Sequence, residues 1–222
     1  MTEKSSKADA MGDKTASSLR DKQQELSRNL AREVILRALA DVIVEQGVHD
    51  FSVQTVADRA GVSHRTVYRH FASRDELLRE LYLWLDDHLD RLELPDFSNN
   101  AWKIPEAITS IFRALDEEDR MVRAVSIVGL TTDHQTDQRR LRTADFHAAL
   151  RELAPDLDED AFSAQFAVIR SLAAAQQWFI LRQQFGLSGD LSGPAVARAI
   201  TVLLEDLVAR NEEARQKTGE DQ

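Results

Sequence analysis

Cysteine is absent from the chain, so no disulfide framework, thiol nucleophile or thiolate metal site can be built from it. Glycine and proline are scarce, 8 and 4 in 222 residues, and such sparse punctuation favours long helices over a many-turned β fold. Nothing approaches the run of about 18 apolar residues that a membrane helix requires, and the N-terminus lacks the apolar core of an export signal. The expectation is a cytoplasmic protein with no membrane partner. There is no Gly-rich phosphate loop, no Gly-x-Ser-x-Gly elbow and no His-Glu-x-x-His, so no catalytic residue is nominated. His134, Asp137, Asp145 and His147 are metal-capable, but without two histidines four apart on a helix they predict no metal site. No other cofactor is expected.

The chain has enough residues to bury a sizeable core in one or two domains, and 43% hydrophobic with 30% charged residues is a globular balance. Net charge is −10, unevenly placed: residues 1–74 hold 12 Lys and Arg against 10 Asp and Glu, residues 75–222 hold 16 against 28. A mildly basic head on an acidic body suits contact with a polyanion at the head alone.

Residues 52–76 organise the rest. Ser52 is a good N-cap for a helix whose Val53, Val56, Ala57 and Ala60 make one apolar stripe. Gly61 can close it in the left-handed conformation, and Ser63 can cap a second helix at once. Two helices so joined form a helix-turn-helix. On the second, Val67 and Phe71 face inward while Arg65 and Arg69 emerge nearly opposite, with His64, Thr66, Tyr68 and His70 on the flanks and leading end. Two guanidiniums, two imidazoles, a phenol and a hydroxyl supply donors for base edges in a major groove and for the phosphates beside it.

Phe51, Val56-Ala57, Ala60-Gly61-Val62-Ser63, Thr66-Val67-Tyr68, His70-Phe71, Ser73-Arg74 and Glu76-Leu77-Leu78 together resemble the DNA-binding domain of TetR-family transcriptional regulators. The resemblance runs from near Ser27 to Leu78, with Arg74 where the family usually has lysine. It implies an all-α protein: an N-terminal three-helix head with the helix-turn-helix, and a C-terminal helical domain for ligand binding and dimerisation. It also implies Gln54, His64, Arg65 and Arg69 as base contacts, and Ser52, Thr66, Tyr68, His70 and Arg74 as phosphate contacts. Arg65 departs from the small residue or proline common at its position. The function implied is a homodimeric repressor that leaves a pseudo-palindromic DNA operator when a small-molecule effector binds, its half-sites about 34 to 36 Å apart or multiples of that.

Taken in order, residues 1–26 have the composition of a flexible tail, in which Lys4, Lys7, Lys14, Arg20 and Lys22 alternate with five acids. The head spans 27–74. Its first helix runs from near Ser27 to Gln46 on a face of Leu30, Val34, Ile35, Ala38, Leu39, Val42 and Ile43, and Gly47 follows. The body spans 75–222. Ser73 and Glu76 form a capping box for a helix to about Leu92, which joins head to body. Further helices are predicted from Pro105, from Met121 to Leu130 and from Asp137 to Leu153, with Asp116 to Asp119 a solvated junction and Thr131 to Thr136 a polar end. Asp156 and Glu159 form a second capping box for one helix from about Leu157 to Phe185; residues 186–193 make a loop, and Pro194 opens a last helix to about Arg210. These last two long helices are apolar nearly all round, so they must be covered on both sides, as in a four-helix seam between two copies.

An effector cavity is expected between the helices that open at Ser73, Pro105, Asp137 and Leu157. Its candidate walls are Trp84, Trp102, Phe112, Met121, Phe146, Phe166 and Trp178, with His134, His147, Arg170, Gln176 and Gln177 as orienting groups. Two rival readings stand beside this one: a structural DNA-binding protein without an effector, and a helical enzyme.

Overall fold

Local capping chemistry sets the head. The computed structural model describes the backbone at residues 3–97, 100–129 and 136–220, and within these the side chains from 20 to 217. The first helix, α1 (Glu3–Gln46), ends at Gly47, whose φ of 86° and N–H bond to the Ile43 carbonyl at 2.9 Å close it. Helix α2 (Val53–Ala60) starts at Ser52, whose Oγ accepts from Thr55 N at 3.0 Å, and stops at Gly61 with φ 68°. Helix α3 (His64–His70) starts in the same way at Ser63, whose Oγ accepts from Thr66 N at 3.0 Å. Helix α4 (Arg74–Asp90) is capped by Ser73, and the predicted box partner Glu76 accepts from Ala72 N. Ile35, Leu39, Val42, Ile43, Phe51, Val56, Val67 and Phe71 are buried together as the head's core.

α1 begins far upstream of Ser27. Residues 3–26 contain no proline and are rich in helix-forming Ala, Lys, Glu, Gln and Leu, so the helix continues there without a buried face at the described side chains 20–26. Residues 20–30 are exposed throughout, and Leu30 and Val34, expected on the core face, are 59% and 48% exposed. The buried stripe therefore starts at Ile35.

The body opens with a single 3-10 turn at Ala101–Lys103, capped by Asn100, which leads into α5 (Ile104–Glu117) with Pro105 in its first turn. Helices α6 (Asp119–Gly129) and α7 (Asp137–Leu153) follow, and α7 has the predicted bounds. The predicted helix over 157–185 is instead two, α8 (Glu159–Leu172) and α9 (Ala175–Phe185). Ala174 is extended between them at φ −85°, ψ 150°, a break that no glycine or proline signals. The cap of α8 is Asp158, not Asp156, its carboxylate accepting from Ala161 N at 2.9 Å. The last helix, α10 (Gly189–Glu220), starts five residues before Pro194 and absorbs residues 189–193 of the predicted loop. Thr131 to Gln135, including His134, lie outside the described residues.

Two features lock the body. Gly189 and Gly193 let the start of α10 lie directly on the backbone of α5: a Cβ on Gly189 would fall 1.9 Å from the Phe112 carbonyl oxygen. Asp116 is a hub rather than a solvated junction residue, accepting from Trp178 Nε1 at 2.9 Å and from Gly189 N at 2.6 Å, with Arg182 3.7 Å away. Its neighbour Glu118 takes a two-pronged bond from Arg37 of α1 at 2.9 and 3.1 Å, and Arg120 approaches Asp41 and Glu45 of the same helix. Thus α1, as well as α4, ties head to body. Among the described residues no helix is long and apolar enough to cross a membrane.

Candidate nucleic-acid interface

Helix α3 presents His64, Arg65, Tyr68 and Arg69 on one exposed surface. The inward side of α3 follows from Val67, which is fully buried, and from Phe71 just beyond its end. Arg65 and Arg69 make no side-chain hydrogen bond or ion pair among the described residues, so both guanidiniums are available to a ligand. Tyr68 is 45% exposed and meets His64 edge-on at 4.7 Å, which steadies both rings at the leading end of the helix. Thr66 is half-buried and its hydroxyl shares a 2.8 Å hydrogen bond with Ser63. On α2, Ser52 and Gln54 are exposed, Gln54 donating to Asp58 at 2.7 Å. Seven of the nine sequence candidates thus reach the surface of α2 and α3.

Two do not. His70 is 7% exposed, and neither ring nitrogen has a hydrogen-bond partner among the described residues. It lies three residues after Val67, on the inner side of the helix, and helical periodicity alone carries that signal. Burial lowers its pKa first, and the charges of Arg69, Arg28 and Arg32 lower it further. A folded pKa below the unfolded value means that the unfolded chain binds the extra proton first, so stability is unaffected above about pH 6.5 and falls as pH drops below it. His70→Gln should flatten that part of the profile in melts between pH 5 and 7.5; an unchanged slope would show that His70 is not its source. Glu118, held below its ordinary pKa by the Arg37 hydrogen bond, adds a loss only at lower pH, below the ordinary carboxylate range.

Arg74 is the other. Its guanidinium covers the Phe51 ring at 4.2 Å and donates to the Val48 carbonyl, which secures the link between α1 and α2. Removing a part-buried cation–π contact and a charge-assisted hydrogen bond should cost about 1 to 3 kcal/mol. Arg74→Ala should therefore lower the melting temperature of the DNA-free protein; an unshifted melt would return Arg74 to the phosphate-contact list.

Sequence reasoning missed two arginines of α1. Arg32 donates to the His70 carbonyl at 2.6 Å, pairs with Glu80 of α4 and covers the Phe71 ring at 4.5 Å. It closes the C-terminal end of α3 and fixes that helix against α4. Arg28, one turn earlier, is exposed, and its charge reaches His70, which places it beside the same end of α3. The i, i+4 arginine pair in a chain of few basic clusters was the available signal.

A cavity of about 160 Å³ lies under α4. Tyr82, Leu85, Asp86, Leu89 and Asp90 of α4 form one wall, facing α5, α6, α7 and the α8–α9 break. Of the predicted walls, Phe146 lines it, and so do the predicted orienting groups Arg170 and Gln176, while Phe166 packs on Phe146 and His147 on Phe166. Phe112, Met121 and Trp178 are core residues, Trp178 through its bond to Asp116. Gln177 is half-buried away from the cavity, and Trp102 is 44% exposed. Trp84 is on the opposite face of α4, stacked on His88 at 5.2 Å beside Arg37 and Glu118. At the α7 end, Asp86 is buried against Thr136 and Arg142, and Arg142 also reaches Asp90 at 3.1 Å. Burial holds the Arg142 pKa below its ordinary value. Arg170 is pulled down to about 10, by burial first and then by the charges of Arg139 and Arg142.

Comparison with known proteins gives consistent matches. Residues 35–81 match the family model for bacterial regulatory proteins of the tetR family. The HTH-type transcriptional repressor Rv3405c of Mycobacterium tuberculosis is 32% identical over 178 residues, 77% of this chain and 87% of that protein. The HTH-type transcriptional activator FasR of Mycolicibacterium smegmatis is 27% identical over 131 residues; the match takes in 56% of this chain and only 58% of FasR. Among solved structures, the regulator PfmR of Thermus thermophilus superposes with a TM-score of 0.53 at 19% identity, over 77% of this chain and 97% of that one, a likeness of fold.

Proposed function

Because the chain belongs to the tetR family of bacterial regulatory proteins, and is a DNA-binding transcriptional regulator, we propose that it is a repressor that a small molecule releases from a pseudo-palindromic operator. The observation that carries this reading is the position of α4. Three residues separate it from α3, and its later turns wall the cavity. A ligand pressing on Leu85 or Leu89 tilts a helix that also carries the reading head. The match to a named repressor over most of its length supports the sign of regulation.

In this reading, residues 27–74 form the head and 75–222 the effector-binding and dimerisation body. Arg65, Arg69, His64 and Gln54 read bases, while Tyr68, Ser52, Thr66 and Arg28 hold phosphates. Two heads must then sit on successive major grooves, which requires a dimer. Val168 of α8 and Val202 of α10 are 49% and 55% exposed in the single chain, and with Ala164 and Ala199 they supply an apolar face for the partner copy. The rival of a DNA-binding protein without an effector fits less well with a cavity walled by the connecting helix.

The test is to select bound fragments from random DNA, then repeat binding with candidate compounds and with Ala174→Phe, which fills the cavity without any ligand. A compound that prefers the DNA-incompetent state by about 100-fold opposes operator binding by roughly 2.7 kcal/mol, and operator must weaken that compound equally. Ala174→Phe is expected to change operator affinity at least about fivefold, within the range of allosteric couplings, while keeping the wild-type melt. Wild-type operator affinity in that variant, with the cavity shown to be filled, would mean that α4 is only a strut.

A further inference from the structure

The cavity wall is not uniformly apolar. Leu85, Leu89, Ile104, Ile108, Val125 and Phe97 make up much of it, yet five ionisable side chains meet at its α7 end. Asp86 and Asp90 are both engaged by Arg142, which leaves Arg139 and Arg170. Neither has a carboxylate partner among the described residues; Arg170 lies over the Phe146 ring, 5.8 Å from its centroid. Among the described residues, three guanidiniums against two carboxylates leave one positive charge at the site. A cation held in an apolar cavity without a counter-ion is costly, and the gap matches one monoanion. A second observation concerns the neutral wall: Ser126 is 1% exposed, lines the same cavity, and its hydroxyl has no hydrogen-bond partner among the described residues. Buried hydroxyls are normally paired, so this one is left for an occupant.

Size narrows the class. A cavity of about 160 Å³ is close to one that accepts a single benzene ring, and smaller than the usual range for drug-sized ligands. We propose that the effector is a small organic monocarboxylate, its apolar body about one aromatic ring in size, its carboxylate held by Arg170 and Arg139, and Ser126 donating one further hydrogen bond. Arginine suits this task because its planar fork meets both oxygens of a carboxylate. This assignment rests on the reading of the cavity as the effector site.

The experiment is calorimetric titration of the full-length protein with phenylacetate and with its neutral isostere phenylacetamide. The acid is expected to bind at least about tenfold more tightly, the margin of one charge-assisted hydrogen bond. Arg170→Met should remove that preference while changing amide affinity less than threefold. Arg139→Gln should reduce it in part, and Ser126→Ala should weaken both probes. Should Arg170→Met not fold, Arg139→Gln, at a half-exposed and unpaired position, carries the test. Equal affinity for acid and amide would overturn the carboxylate assignment while leaving the cavity as an effector site. An acid preference untouched by both arginine variants, or no binding of either probe, would also overturn it. The filled-cavity variant Ala174→Phe judges the effector reading separately, because it needs no ligand.

Discussion

Replacing Gly189 by alanine is expected to cost at least about 3 kcal/mol, at or beyond the upper end of ordinary overpacking. The added Cβ would stand 1.9 Å from the Phe112 carbonyl oxygen and 2.5 Å from its carbon, and neither atom is the free end of a side chain. Relief requires α10 to lift from α5. That movement pulls Gly189 N away from Asp116, and Asp116 also satisfies the indole N–H of the fully buried Trp178. A buried donor left without its partner adds its own desolvation penalty. Urea unfolding followed by circular dichroism checks the result, with Gly61→Ala as the control. Gly61 has φ 68° and open space around its missing Cβ, so its cost is the left-handed backbone penalty alone, about 1 to 2 kcal/mol. If the two variants lost the same small amount, the close seam between α5 and α10 would be wrong.

Why the head was legible and parts of the body were not comes down to the range of the interactions that decide each element. Ser52, Gly61, Ser63 and Ser73 act within three or four residues of themselves, so α2, α3 and the start of α4 could be placed from sequence. The same holds for α7, bounded by Thr136 and by Pro155 just beyond it. The break at Ala173–Ala174 is different. Alanine is a strong helix former, and only the packing of neighbouring helices around the cavity can hold Ala174 extended. Pro194 misled in the opposite sense: five residues earlier, Gly189 gives the start of α10 its close fit on α5, so the helix is under way before the proline. At the candidate interface the errors were of direction. The resemblance implies phosphate contacts at His70 and Arg74, yet the His70 side chain shares the face of Val67 and Arg74 is drawn back over Phe51. The cavity followed the same rule. Trp84, a candidate wall, stacks on His88, whereas Leu85, Leu89 and Tyr82, on the other side of α4, face the space.

The variant with both Arg65 and Arg69 replaced by alanine is expected to lose most of its operator preference while remaining folded. Both side chains are exposed and unpaired among the described residues, so the melt should stay within about 0.5 kcal/mol of wild type. Each guanidinium that reads a base in the major groove is worth about 1 to 3 kcal/mol of discrimination. Two such contacts together amount to about 2 to 6 kcal/mol, or roughly 30-fold to 20,000-fold in the ratio of operator to random-sequence affinity. Non-specific affinity should fall much less, because Arg28, Tyr68, Ser52 and Thr66 still face the backbone in the proposed arrangement. Binding isotherms on operator and random duplexes at several salt concentrations separate the roles. A base-reading arginine lowers the preference and leaves the salt slope nearly unchanged, whereas a phosphate-binding arginine weakens all sequences alike and shallows the slope by about one unit. A double variant that lost affinity uniformly, with a slope shallower by about two, would move both residues to the phosphates and leave His64 and Gln54 as the remaining base contacts.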